Sequence, residues 1–400
     1  MTRADASGRA LGGQPAEQRW AATLVGLCAV LLLTFTAFGA VIPVLPPLVL
    51  DDLGGGPLAV GAVFAASGFV AIVGRPYAGR AAQRWGSRRV MGIGCLLAAI
   101  VGAGYALPFG LPGLYGTRLL LGVAESAVFT AGSVWTVALA PESRRGQLVG
   151  YYGLAMWSGF TVGPLVGSGL LAEFGHSAVW WFAAVTPLAA AALVTRLPAV
   201  AAAGQATSRR VVPRAALLPG VALALAAFGY AALIGFVVLH LSARGVAGGG
   251  AMLSLFGAAY VTVRLVAGRL PDRLGARRVA VVCGAVEAAG LLLIMIADAW
   301  WLAAIGAVVM GAGFTLLYPA LALIVIASAP ENERGAAIGA YTSFWDLGLG
   351  VAGLAAGAVA AASYPAVFAV AAALAAVAGL VGAKAGRLTG ARHARPDSSA

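Results

Sequence analysis

The strongest constraint on this chain is a stretch that occurs twice. Gly79–Val90 reads GRAAQRWGSRRV, and Gly268–Val279, 189 residues later, reads GRLPDRLGARRV, with both glycines, Arg84/Arg273 and the paired arginines in register. The same offset pairs Arg75 with Arg264, Gly122 with Gly311, and Ala140-Pro141-Glu142 with Ala329-Pro330-Glu331. Each copy is a short, arginine-rich polar turn between two long apolar runs. A duplicated unit of this kind points to a bilayer protein built from two related halves.

Hydrophobic residues make up 61% of the chain and charged residues 10%, with mean hydropathy +0.93, whereas soluble domains carry about 25% charge. A helix needs about 20 apolar residues to cross the hydrocarbon core. Apolar runs lie at roughly 20–49, 57–78, 90–109, 112–139, 146–171 and 177–195, then 215–240, 249–267, 279–298, 300–327, 335–360 and 363–383. The pattern predicts an all-α membrane protein of 12 transmembrane helices in two six-helix pseudo-symmetric halves, 20–196 and 215–384. A cytoplasmic linker is expected over 197–214, and cytoplasmic tails over 1–19 and 385–400, the last read as disordered.

The net charge of +12 does not indicate nucleic acid, because the arginines gather in small groups between spans. With the N-terminus inside, Arg80, Arg84, Arg88, Arg89, Arg144, Arg145, Arg269, Arg273, Arg277 and Arg278 face the cytoplasm. The outer loops then hold Arg244 beside Asp51, Asp52, Glu173 and Asp298. The first apolar run is too long for a cleaved signal peptide. Cys28, Cys95 and Cys283 each fall singly in apolar runs, which gives neither a disulfide framework nor a metal set. The chain has no H-E-x-x-H, no glycine-rich phosphate loop and no nucleophile–base pair at helical spacing, so no enzyme and no cofactor is expected.

GRLPDRLGARRV resembles the loop between the second and third helices of each half of the major facilitator superfamily, with Gly268, Asp272, Arg273, Gly275, Arg277 and Arg278 in place. The first copy keeps Gly79, Arg84, Gly86 and Arg88 but has Gln83 where the family has Asp. By resemblance, that Asp latches the cytoplasmic side of the outward-facing state; Gln83 carries no charge to do so. Arg118-x-x-x-Gly122 is similar to the family's R-x-x-x-G motif. Gly159, Gly163, Pro164 and Gly167 match its G-x-x-x-G-P-x-x-G-G pattern, which is associated with proton-driven antiporters. Physically, glycines at this spacing make a flat strip for another backbone, and Pro164 permits a bend. Leu121–Ser126 and Ser343–Gly350 resemble a bacterial efflux subgroup that includes opine-metallophore exporters.

Charged side chains at mid-membrane cost about 2.5–3.5 kcal/mol on insertion scales, so each needs a reason. Glu125 lies about 12 residues into the fourth span, roughly 18 Å at 1.5 Å per residue, near the midplane. Arg118 sits two turns earlier on nearly the same face, and by resemblance that face lines the central cavity. Glu125 is read as the proton site, with a permanent ion pair to Arg118 as the structural alternative. Asp346, at a similar depth in the eleventh span, receives a cationic cargo group, shares the proton or caps a packing contact. In the repeat its counterpart is Trp157, while Ala307 and Phe314 replace Arg118 and Glu125, so the charge chemistry is not duplicated.

Arg75 and Arg264 are read as snorkelling anchors in preference to a gating pair, His240 as an interface residue in preference to a relay, and Glu287 as a packing contact. Phe35, Phe38, Trp135, Tyr230, Phe314, Tyr318 and Trp345 are candidates for cavity walls or for core.

Together these features predict a secondary transporter that exports a small drug-like, amphipathic or amino-acid-derived molecule in exchange for protons, at the bacterial cytoplasmic membrane. A single chain supplies both halves of the path, so a monomer suffices. Nutrient import on the same fold is the alternative, and a non-transporting membrane sensor the third reading.

Overall fold

A computed structural model of the chain describes residues 16–140, 144–199, 213–330 and 333–393. The N-terminal tail before residue 16, most of the linker, Pro141, Glu142, Glu331 and the last seven residues lie outside the described residues.

The first half contains α1 (Ala16–Val41), α2 (Pro57–Trp85), α3 (Ser87–Gly104), α4 (Gly110–Leu139) and a 52-residue helix, Arg145–Arg196. That last helix is two spans fused end to end. Gly175 breaks it with φ 75°, ψ −175°, so α5 and α6 are the segments before and after Gly175. The second half contains α7 (Arg214–Ser242), α8 (Gly250–Ala267), α9 (Ala276–Ile296), α10 (Trp300–Ser328), α11 (Arg334–Ala360) and α12 (Tyr364–His393). Among the described residues, eleven stretches are long and apolar enough to span a membrane. Dividing the 51-residue stretch at Gly175 gives the expected twelve.

Several boundaries differ from expectation for local reasons. The first span runs from Trp20 to Asp52, but its regular α-helix stops at Val41 because Pro43, Pro46 and Pro47 withdraw backbone donors; the chain then makes a short turn, Leu45–Pro47, and one wide turn, Leu48–Asp52. The tail expected to be disordered from residue 385 is helical to His393, since Ala385, Arg387, Leu388, Ala391 and Arg392 are good helix formers.

The two arginine-rich copies also differ. In the first, α2 runs without interruption through Gly79, Gln83 and Arg84 to Trp85, so that segment is helix, not loop. In the second, α8 ends at Ala267 and a separate short helix, Leu270–Leu274, follows, with Pro271 in its first turn, where proline is favoured. Both copies close on a matched glycine, Gly86 at φ 88°, ψ 137° and Gly275 at φ 86°, ψ 133°, a conformation that side-chain-bearing residues rarely adopt.

The distribution of core shows where the halves meet. At the end bearing the arginine motifs each apolar cluster stays within one half: one around Trp135 and Tyr152 and a small one of Leu24, Ala140 and Leu148 in the first, and one around Tyr341 and Leu317 in the second. At the opposite end a single cluster runs across both halves, from Val60, Val63 and Phe64 to Phe236, Val237 and Phe368. The halves are joined at one end and parted at the other.

Small residues make that joint possible. A Cβ on Gly61 of α2 would collide with the Gly353 carbonyl of α11, and one on Gly357 would sit 2.9 Å from the Pro57 carbonyl. On the pseudo-symmetric seam, a Cβ on Gly257 of α8 would lie 3.0 Å from the Thr161 backbone of α5. These approaches are closer than any side-chain-bearing pair permits.

Candidate functional site

Where the halves part, a cavity of about 350 Å³ opens between them. Its lining runs from Gly146, Gly150 and Gly153, in the first turns of α5 near the arginine motifs, to Ile42 and Ile234 beneath the joined end. A Cβ on any of those three glycines would meet nothing within 4 Å. The mouth is therefore at the arginine-rich end.

Two charged side chains of its lining, Arg75 and Glu125, meet a third, Asp346, which was expected to line the cavity but is buried just behind its wall. Arg75 of α2 lies with Nε 2.8 Å from Asp346 Oδ2 of α11 and with Nη2 3.6 Å from Glu125 Oε1 of α4. Its guanidinium also stands 5.1 Å over the Phe129 ring. Glycines bring these helices together: a Cβ on Gly74, next to Arg75, would lie 2.6 Å from Ser126 Oγ, next to Glu125. On the other flank, a Cβ on Gly68 would lie 3.2 Å from the Gly350 nitrogen, one turn from Asp346.

This corrects the reading of Arg75 as a snorkelling anchor. Because α2 continues to Trp85, Arg75 is ten residues, about 15 Å, from the helix end. It is too deep to reach the polar interface and instead finds two carboxylates.

The structural alternative for Glu125, a permanent ion pair with Arg118, does not form. Two turns of helix separate the residues by about 10 Å along the axis, and helical side chains lean towards the N-terminus. Arg118 accordingly reaches away from Glu125 and donates to the Val63 carbonyl at 3.1 Å, Ser67 Oγ at 3.3 Å and the Tyr105 hydroxyl at 3.4 Å, with its guanidinium 5.1 Å over the Phe64 ring. Its charge meets no carboxylate among the described residues.

Of the expected wall residues, Phe38, Tyr230, Phe314, Tyr318 and Trp345 line the cavity with Arg118 and Glu125. Phe35 does not; it is fully buried behind the wall, edge-on to Phe38 and Phe160. Trp135 is likewise interior to the first half. Trp157 and Tyr260, neither among the expected wall residues, form the roof, stacked with ring centroids 4.1 Å apart and flanked by Tyr230 and Phe314. For Trp157 the signal was present in the repeat, since it occupies the position matched to Asp346; Tyr260, matched to Ala71, carried none.

The strip Gly159, Gly163 and Gly167 packs against α1, where a Cβ on Gly163 would lie 2.6 Å from Gly39 Cα. The helix departs from helical geometry at Gly175, not at Pro164. Asp272, Arg273 and Arg277 are exposed, and Asp272 makes no ion pair among the described residues. Arg88 donates to the Thr195 carbonyl, tying the start of α3 to the end of α6.

Two further groups lie outside the cavity. His240 is buried, with Nε2 3.0 Å from the Ile294 carbonyl and its ring 4.9 Å from Phe368. Glu287 is wholly buried between Gly229 and Gly313, with neither carboxylate oxygen hydrogen-bonded among the described residues.

Comparison with known proteins agrees with this architecture. The chain is 32% identical over 335 residues to the MFS-type transporter YhhS of Escherichia coli K12, covering 82% of this chain and 83% of that protein. It is also 32% identical over 375 residues to an MFS-type transporter of Burkholderia mallei, covering 88% and 90%. Among solved structures, the nucleoside transporter NupG superposes with a TM-score of 0.74 at 16% identity, covering 91% of this chain and 99% of that one, a likeness of fold. The family model of the Major Facilitator Superfamily matches residues 27–248 and again 220–399. With two six-helix halves around a shared cavity, this chain belongs to the major facilitator superfamily and is a multi-pass membrane transporter.

Proposed function

We propose that this transporter exports a small organic molecule by alternating access, in exchange for protons, from a bacterial cytoplasmic membrane. The observation that carries the reading is the sharing of one guanidinium, Arg75, between Glu125 of the first half and Asp346 of the second. One cation compensates one carboxylate, and a second buried negative charge is costly. Asp346 holds the nearer position, with a side chain only 5% exposed, whereas Glu125 is 3.6 Å away and 23% exposed. Glu125 is then the group that exchanges a proton with the cavity, and Asp346 the group that ties Arg75 to the second half.

The positive-inside rule places the arginine motifs and both termini in the cytoplasm, which makes the open end of the cavity the cytoplasmic one. A proton taken up by Glu125 on the outer side is released inward as Arg75 closes on the carboxylate. The cavity is then ready for cargo. The Gly159–Gly167 strip, similar to the antiporter pattern, supports export as the direction.

The test is proton movement in liposomes loaded with a pH-sensitive dye, on addition of amphipathic and amino-acid-derived compounds, for wild type and Glu125→Gln. Compound-dependent proton movement that disappears in the variant supports the reading. Transport that runs undiminished in Glu125→Gln overturns it in favour of nutrient import or uniport.

A further inference from the structure

Arg264 is the repeat partner of Arg75, and both line the same cavity. Their surroundings are opposite in kind. Arg75 has two carboxylates, Glu125 and Asp346. At the matched positions, 189 residues away in each case, the other half carries Phe314 and Trp157. The second copy of the site has kept the cation and lost both of its counter-charges.

The structure shows the consequence. Among the described residues Arg264 makes no ion pair, and its Nη1, a buried atom, has no hydrogen-bond partner. A buried donor without an acceptor is costly, and more so when charged. None of the described residues supplies the missing acceptor.

From this we infer that the cargo is an organic anion, with its carboxylate-type group held by Arg264 and its apolar body laid against the adjoining aromatic roof. Tyr260, one turn from Arg264 on α8, is stacked on Trp157 at 4.1 Å, and Phe314 stands 5.6 Å from Trp345. These flat faces suit an aromatic or amphipathic body. The field points the same way: Arg75, Arg118 and Arg264 outnumber Glu125 and Asp346 even when both are ionised, so the cavity attracts anions and repels cations. The volume of about 350 Å³ limits the cargo to a small molecule.

This inference rests on reading the cavity as the cargo site, but it does not depend on proton coupling. It is tested by calorimetric titration of the purified full-length transporter at fixed pH with phenylacetate and naphthylacetate, their neutral amides, and the corresponding amines. The acids bind about tenfold or more tightly than amides or amines. Arg264→Gln abolishes the preference and Arg264→Lys retains most of it. Phe314→Glu, which gives Arg264 the counter-charge that Arg75 already has, abolishes acid binding with Arg264 still present.

Amine or amide binding as tight as that of the acids overturns the inference, as does failure of both acids to bind wild type or undiminished acid binding by Arg264→Gln. A chain that prefers acids yet moves no protons retires the coupling reading alone. Glu125-dependent proton movement without a preference for acids retires this one alone.

Discussion

Arg75 Nε lies 2.8 Å from Asp346 Oδ2, and this contact ties α2 of the first half to α11 of the second in the cavity wall. Glu125 completes the cluster from α4. Removing Arg75 strands two carboxylates, and breaking a buried pair in this way costs about 3–5 kcal/mol. Arg75→Ala is expected to lower the thermal unfolding temperature markedly in detergent. Adding Glu125→Gln and Asp346→Asn to that variant recovers much of the loss, because the stranded charges are then gone.

The two carboxylates are not equivalent. Glu125 stands further from the guanidinium and is partly open to the cavity, so Glu125→Gln alters stability by about 1 kcal/mol or less. Asp346 makes the close, sealed contact, and Asp346→Asn costs about 1.5–3 kcal/mol. Thermal unfolding of the two single variants side by side checks the order; a larger loss for Glu125→Gln reverses the assignment of roles.

Closure of the joined end depends on Gly61 and Gly353, whose backbones leave no space for a Cβ between them. Gly61→Val therefore disfavours the closed arrangement, with about a tenfold population change for every 1.4 kcal/mol of strain. A cysteine introduced at Thr161, in the matching seam, reports on this through its reaction with a membrane-impermeant maleimide added from the side away from the arginine motifs. Faster labelling in Gly61→Val than in its parent is the expected result, and equal rates sink the idea.

Gly86 and Gly275 share one unusual backbone conformation, φ near 87° at each. Alanine at either position costs about 1–3 kcal/mol, although neither glycine is in contact with other atoms at its missing Cβ. Unfolding temperatures of the two single variants should fall by similar amounts. By contrast, alanine at Gly146 or Gly150, which are helical and face open space, is expected to be neutral or mildly stabilising.

Glu287 is buried with no hydrogen-bond partner for either carboxylate oxygen among the described residues. Glutamine keeps its shape and removes the ionisable group. Glu287→Gln is expected to leave transport unchanged and the unfolding temperature equal or higher. Loss of transport at unchanged stability assigns Glu287 to the transport cycle instead.

The duplication and the apolar periodicity determined the class of protein, the number of spans and the two-half plan, because a bilayer imposes lengths and polarities that are written along the chain. The matched glycines Gly86 and Gly275 were legible for the same reason, since a helix reversal that needs positive φ selects glycine locally. Even the asymmetry of the charges could be read in the repeat frame, where Glu125 faces Phe314 and Asp346 faces Trp157. What only the tertiary structure decided was who meets whom. Spacing put Arg118 with Glu125, yet the lean of helical side chains sends Arg118 to Val63, Ser67 and Tyr105. Arg75, which looked like an anchor at a span end, is drawn to Glu125 and Asp346 by the close approach of α2 to α4 and α11 at Gly74 and Gly68. Ion pairs between helices depend on packing across the bundle, and periodicity within one helix carries no information about its neighbours.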